Sequence, residues 1–207
     1  MSNPWQEIDL NAYESHMSLE SVSQLQALSR IMKEQLDAYH SDTVMILGIA
    51  GGNGLEHIDP HRTKKVYGVD INPDYLKMCQ KRFPELDGIF EPICCDVSAQ
   101  ADMLPKAGLL IADLFIEYVG CECFAKAVSH IMPEYVSAVI QVDTDEGYVS
   151  DSPYVHVFDR LDEIHHQINE AELEAAMQKV GYKKLSRSVT DLPNGKQLVR
   201  SDLSLCR

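Results

Sequence analysis

The chain of 207 residues is long enough for one domain with a substantial core, or a domain with an appendage, and too short for two full-sized domains. Its 18 Lys and Arg stand against 32 Asp and Glu, a formal charge of −14 spread along the whole length. That balance argues against a broad nucleic-acid-binding face, because such faces hold phosphates through cations. Apolar residues at 45% and charged residues at 24% suit a globular chain rather than a disordered one. No apolar run approaches the roughly 18 to 20 residues that span a bilayer. Residues 1–17 carry Glu7, Asp9 and Glu14 with no Lys or Arg, unlike a signal or transit peptide, so a cytoplasmic location is the expectation.

In chain order, Leu19, Val22, Leu25, Leu28, Met32 and Leu36 recur three or four apart and predict one amphipathic helix over 18–39. After Ser41-Asp42 the pattern changes to Val44-Met45-Ile46-Leu47-Gly48-Ile49, apolar on both faces, which predicts a strand buried on both sides. Val66 to Val69 predicts a second strand ending at Asp70, and Asn72-Pro73 opens a helix to about Arg82, with Asn as N-cap and Pro at the first helical position. Further strands are expected at 89–94, 109–112 and 136–142, with a helix over 121–132 before the last. Residues 144–168 have poor periodicity and read as a loop or small insertion. Asn169 caps a helix carrying Leu173, Ala176, Met177 and Val180 and closed by Gly181. Strands 182–189 and 197–205 flank the turn Pro193-Asn194-Gly195 as an antiparallel hairpin. The six cysteines, Cys79, Cys94, Cys95, Cys121, Cys123 and Cys206, include no CxxC pair and read as free thiols or small hydrophobes; no metal site is expected from them.

The chemistry is carried by the strand ending Gly48-Ile49-Ala50-Gly51-Gly52-Asn53-Gly54, followed by a second strand that ends in Asp70. Small residues let the backbone approach a ligand, and a carboxylate at the next strand tip can accept hydrogen bonds from both ribose hydroxyls. The plain alternative is a tight strand-to-helix turn and a solvated Asp.

These residues resemble the class I methyltransferases that use S-adenosylmethionine. In that family the first strand ends in an acidic residue followed by x-Gly-x-Gly-x-Gly; here Gly48 stands at the acidic position and Ala50 at the first glycine. The other landmarks follow in order: Asp70 as the ribose acid, Cys95-Asp96-Val97 flanking adenine, and Ile111-Ala112-Asp113-Leu114 as the fourth strand and its exit. The resemblance, over roughly residues 40 to 205, implies an α/β fold: a doubly wound, mostly parallel seven-stranded Rossmann-like sheet with an antiparallel C-terminal strand, here with an N-terminal helical cap. It divides the chain into a cap over 1–40 and an S-adenosylmethionine-binding domain over 41–207. It implies S-adenosyl-L-methionine as cofactor, held by Tyr13, Met17, Gly48, Ala50, Gly51, Gly52, Gly54, Asp70, Ile71, Asp96, Val97 and Asp113.

Two other readings share the loop. Gly48-x3-Gly52-x-Gly54 also has the spacing of short-chain NAD(P)-dependent oxidoreductases, but none of the nine tyrosines is followed four residues later by Lys, so the usual proton-transfer pair is missing. A protein that binds S-adenosylmethionine and does no chemistry is the other.

Ligands of open α/β sheets lie outside the carboxyl ends of the strands, so 113–118 and 143–148 are expected to face the transferable methyl group. The run Ala112-Asp113-Leu114-Phe115 lacks the (Asn/Asp)-Pro-Pro-(Tyr/Phe) of family members that modify base amino groups; with the acidic charge this argues against a DNA or RNA adenine substrate, and the expected acceptor is a small molecule, with a protein side chain as the alternative and no nucleic-acid or membrane partner. Trp5, Tyr13, His16 and Met17 read as packing or as a lid, since many small-molecule members of the family close an aromatic N-terminal helix over the cofactor. His16, Glu117, His156 and His165, with neighbouring His166, are the candidate general bases where the acceptor carries a proton. Asp143, Asp145, Glu146 and Asp151 read first as a solvated loop, next as an attraction for a cationic amine, and last as a divalent-metal site, for which oxygen-ligand spacing alone is a weak signal. The acceptor atom and the oligomeric state leave no signal in the sequence.

Overall fold

A computed structural model describes residues 2–142 and 148–206. Seven strands, β1 (Thr43–Leu47), β2 (Lys65–Asp70), β3 (Phe90–Cys94), β4 (Leu109–Asp113), β5 (Tyr135–Val142), β6 (Tyr182–Asp191) and β7 (Gln197–Leu205), form one sheet in the order β3-β2-β1-β4-β5-β7-β6. The first five run parallel; β7 inserts antiparallel between β5 and β6. This is the doubly wound arrangement expected from the sequence, with the order reversing between β1 and β4.

Alternate residues of the central strands feed two cores. Val44, Ile46, Leu109 and Ile111 face α2 (Gln24–Ala38) and α3 (Pro73–Arg82), whereas Met45, Leu47, Leu110 and Ala112 face α6 (Cys121–Ile131) and α7 (Glu170–Lys179). Covering both faces of β1 and β4 with helices is what makes their sequences apolar throughout. The expected caps are present: Asn72 accepts from the Asp74 N–H, and Asn169 forms a reciprocal capping box with Glu172. Short helices α4 (Val97–Gln100) and α5 (Ile116–Val119) follow β3 and β4 and turn the chain at the carboxyl edge of the sheet.

Two expectations need correction. The helix over 18–39 begins only at Gln24, because the chain turns through Leu19–Ser23 and Ser23 takes a left-handed φ of 52°; Val22 is buried from that turn. The residues before it form a separate helix, α1 (Leu10–Ser18), whose N-cap Asp9 accepts from the Ala12 N–H. The stretch 144–168 is not wholly irregular either: Val155–Glu163 winds as a 3-10 helix and buries Phe158 and Leu161. Among the described residues, no helix is long and apolar enough to cross a membrane.

Candidate active site

Two cavities open at the carboxyl ends of the strands, the narrow one where the strand order reverses and the wide one beyond the exits of β4 and β5. The narrow one, about 80 Å³, is lined by Gly48, Ala50, Asp70, Ile71, Asp96, Val97 and Asp113 together with Trp5, Tyr13 and Tyr118. The wide one, about 400 Å³, is lined by Met17, Glu117, Tyr118, Gln141, Tyr148 and Phe158 among others. Trp5, Tyr13, Leu114 and Tyr118 line both, so these side chains form the wall between them.

The narrow cavity rests on the loop after β1. Asp70 is buried, and its two carboxylate oxygens accept the backbone N–H groups of Ala50 and Asn72, each at 2.9 Å. The Ile71 N–H also acts on this carboxylate, and an ionised carboxylate has about four lone-pair sites, so capacity remains for a further donor. Burial pushes this carboxyl upward, against the opposing effect of those N–H donors. Ala50 holds φ at +48°, so the loop keeps a glycine-like conformation at the position where an alanine stands. Gly48 has φ +69°, and a Cβ there would come within 2.8 Å of the Phe115 ring. No acidic side chain fits at 48.

A carboxylate is present one strand over. Leu47 and Ala112 are the last paired residues of β1 and β4, and the next residues are Gly48 and Asp113. One Asp113 oxygen accepts from Gln35 Nε2 at 2.8 Å, while the other is buried without a partner. Burial pushes the Asp113 carboxyl up to about 7, with the Gln35 hydrogen bond and the Arg200 charge pulling it down and Asp202 pushing it up. At the opposite end of the cavity, the Asp96 side chain caps α4 through the Ser98 N–H, and Val97 is buried behind it.

The N-terminal segment lies over this loop. Its backbone is held by Asn72 Nδ2 donating to the Trp5 carbonyl at 3.0 Å and by the Tyr75 hydroxyl donating to the Ile8 carbonyl at 2.8 Å. From α1, Glu14 forms a two-pronged pair with Arg82 at 2.5 and 2.8 Å, and Arg82 also donates to the Gly51 carbonyl. The pair lies against Gly51, where a Cβ would meet Glu14 at 2.1 Å. Burial pushes the Tyr13 phenol well above its usual range, reinforced by the negative Asp70 beside it.

Most of the cofactor residues expected from the sequence are therefore gathered in the narrow cavity. Met17 instead lines the wide one, and Gly51, Gly52 and Gly54 line neither; they shape the turn and pack against α1, α2 and α3. Of the candidate bases, His16, Glu117 and His165 line the wide cavity, as does His166. His156 does not: its side chain is 89% exposed and lies beside Asp159. His16 is buried, with Nδ1 2.8 Å from the Ser152 hydroxyl, and burial together with the nearby Lys196 charge pushes its imidazole down. Glu117, only 5% exposed, accepts the Gln141 N–H at 2.8 Å and so joins the exits of β4 and β5. Tyr118 and Tyr148 lie on the two strand exits expected to face the methyl group. Phe158, Gln24 and Gln141 were not foreseen; the apolar spacing of Phe158 and Leu161 was the available signal. Asp143, Asp145 and Glu146 lie outside the described residues, and Asp151 is exposed. Among the described residues, no group of three or more His, Cys, Asp or Glu side chains could hold a metal ion.

No family model matches the sequence, and no curated protein matches it. Solved structures do match in fold. Geranyl diphosphate C-methyltransferase from Streptomyces coelicolor A3(2), solved with Mg2+, geranyl diphosphate and S-adenosyl-L-homocysteine, is 12% identical at a TM-score of 0.65, covering 87% of this chain and 77% of that one. A protein described as an RNA methyltransferase from Pyrococcus horikoshii is 14% identical at a TM-score of 0.60, covering 90% and 86%. The [4+2]-cyclase SpnF is 9% identical at a TM-score of 0.66, covering 87% and 81%. The chain has the fold of the class I S-adenosylmethionine-dependent methyltransferases. The three are described by different activities, one of them a cyclase, so the fold leaves the acceptor open.

Proposed function

We propose that this chain is an S-adenosylmethionine-dependent methyltransferase for a small organic acceptor, with residues 1–40 acting as a cap on a cofactor-binding domain over 41–207. The observation that carries the reading is the pair of adjacent cavities at the carboxyl ends of the strands, meeting at a wall of Trp5, Tyr13, Leu114 and Tyr118. One has nucleoside-binding side chains; the other has the size of a small-molecule site.

The chemistry of the narrow cavity fits the cofactor. Asp70 would take the ribose hydroxyls, Asp96 and Val97 would flank the adenine, and the unpartnered oxygen of Asp113 would receive the amino group, replacing the acid that Phe115 excludes from position 48. The space is narrow, with Trp5 and Tyr13 in its lining, so the N-terminal segment acts as the cap over the bound cofactor. Bound there, S-adenosylmethionine would supply an electrophilic methyl group on a positively charged sulfur. The residues of this chain then hold the acceptor in line and exclude water, which accounts for most of the acceleration open to a displacement of this kind. Where the acceptor carries a proton, Glu117, His165, His166 and the neutral His16 are groups of the cavity able to take it.

Incubation with S-adenosylmethionine and a panel of small amines, phenols, thiols and carboxylates tests this reading by mass spectrometry. S-adenosylhomocysteine should accumulate together with an acceptor one methylene heavier. Tight binding of S-adenosylhomocysteine with no turnover on any acceptor would instead identify a nucleoside-binding protein without chemistry.

A further inference from the structure

We infer that Gln35 is a positioning residue for the cofactor: by engaging one oxygen of Asp113 it leaves the other for the amino group of S-adenosylmethionine. The inference rests on the methyltransferase reading and gives a residue of α2 a part in cofactor selection.

Two carboxylates are buried on the face of the sheet that packs against α2, and their surroundings differ. Asp113 at the end of β4 is in register with Val139 of β5, which is in register with Arg200 of β7; Ile111, Ser137 and Asp202 form the row two residues away. Ile111 and Val139 pack against Met32 and Ile31 of α2, respectively. Both oxygens of Asp202 are taken. Oδ1 accepts from the Ser137 hydroxyl at 2.5 Å and Arg200 Nε at 2.8 Å, and Oδ2 accepts from Ser186 at 2.7 Å and Tyr39 at 3.1 Å. These donors fill the roughly four lone-pair sites of a carboxylate, so Asp202 is complete within the protein. Asp113 is not. Among the described residues it receives Gln35 Nε2 on Oδ1, while Oδ2 is buried with no donor. A buried oxygen left in this state costs stability, and a bound donor would complete its set.

Gln35 is itself completely buried, in the last turn of α2, and its Oε1 also lacks a donor. An apolar side chain would fill that space without stranding an oxygen, so packing alone does not account for an amide here. What the amide provides is the 2.8 Å bond to Asp113. That bond favours the ionised carboxylate against burial, as does the charge of Arg200, which is paired with Asp202 and lies 3.8 Å from Glu34; Asp202 acts in the opposite sense. Asp113 lines the narrow cavity and Gln35 lines neither, so Gln35 acts on a ligand only through Asp113. The group that suits Oδ2 is a charged donor, and the ammonium of the methionine moiety carries three N–H bonds and a positive charge. With Asp70 in the same cavity for the ribose, the site would select nucleosides that bear an amino group on the thioether tail.

S-adenosylhomocysteine and its analogue with hydrogen in place of the α-amino group share nucleoside, thioether and carboxylate. Both are titrated calorimetrically into the full chain at a pH above the Asp113 value of about 7. The amino compound should bind at least about tenfold more tightly. Gln35→Met, which nearly keeps the volume and removes the donor, should weaken it about tenfold and leave the deamino analogue within about twofold. The pH at which affinity rises should also move upward, because the bond favouring the ionised carboxyl is gone. On an Asp113→Asn background the same change should alter affinity by no more than about twofold, since Gln35 acts through that carboxylate. Equal weakening of both compounds, or effects of the two variants that simply add, would make Gln35 a packing residue and overturn the inference. A wild type that binds both compounds alike overturns it too, while nucleoside binding survives; if neither compound binds, the methyltransferase reading falls and the inference with it. Should Gln35→Met fail to fold, Gln35→Asn, whose amide falls a methylene short of Asp113, is expected to show the same selective loss. Failure of both variants to fold would show the amide to be structural and overturn the inference.

Discussion

The two cavities share a wall but are built in different ways. The narrow one is set by backbone: the register of β1 against β4, the left-handed Ala50, and N–H groups that fix Asp70. The wide one is set by side chains from four distant stretches: the N-terminal segment, the exits of β4 and β5, and residues 148–170. Strand register tolerates little change, whereas a wall assembled from loops can be refitted without disturbing the sheet. The difference teaches where specificity resides on this fold, and it can be tested from both sides.

The largest effect is expected from removing the element that serves both cavities. A chain starting at Ser18 loses Trp5, Tyr13 and the Glu14–Arg82 pair, so turnover should fall by about 100-fold or more and cofactor affinity should drop. Circular dichroism should still show the sheet, although the melting point should fall because Ile8, Leu10 and Met17 are buried. Full turnover in the shortened chain would show that the segment is ordinary packing.

Asp70→Ala should then weaken S-adenosylhomocysteine by about 1.5 to 3 kcal/mol, the scale of hydrogen bonds to a charged group. It should also lower the melting point, since the buried N–H groups of Ala50 and Asn72 lose their acceptor. Unchanged affinity in calorimetry would place the ribose elsewhere. An Ala substitution at Tyr148 should leave that affinity intact and disturb only the acceptor.

The sequence made the first cavity readable and the second mostly not. The strand run Val44–Ile49, the loop to Gly54 and Asp70 are contiguous or nearly so, and hydrophobic period plus turn chemistry locate them directly. Asp113 was legible as a strand exit, but its role opposite Gly48 depends on which strands are neighbours and on a Phe115 ring that no periodicity reveals. Helix α1 was missed although Asp9 precedes Leu10, Tyr13 and Met17 at helical spacing, because the stronger stripe downstream drew the boundary. The contact of His16 with Ser152, 136 residues apart, has no local signature at all.

A pH series probes the backbone-defined side more finely. The folded Asp113 carboxyl is raised to about 7 from an ordinary value of 3.8, so the folded state holds the extra proton between those limits. Its contribution to stability is full below the unfolded value and is lost as pH rises through about 7. Asp113→Asn should flatten the fall in melting temperature between about pH 4 and 7. If the ionised carboxylate receives the cofactor amino group, affinity for S-adenosylhomocysteine should rise from about pH 6 to pH 8 in the wild type and stay level in the Asn variant. A wild-type profile that is flat in both quantities would contradict this account of Asp113.

The smallest effect concerns Ala50. Its φ of +48° strains an alanine, so Ala50→Gly should stabilise the chain by about 0.5 to 1 kcal/mol after the added freedom of the unfolded glycine, with cofactor affinity unchanged. Denaturant melts would show a destabilised variant if the loop did not need the left-handed conformation.

The central claim is that the narrow cavity takes S-adenosylmethionine, and calorimetric titration of the full chain with S-adenosylhomocysteine, set beside NADP+, tests it most directly. The account predicts saturable one-to-one binding of S-adenosylhomocysteine, with a raised melting point by mass action and no heat from NADP+. Binding of NADP+ without S-adenosylhomocysteine would contradict it.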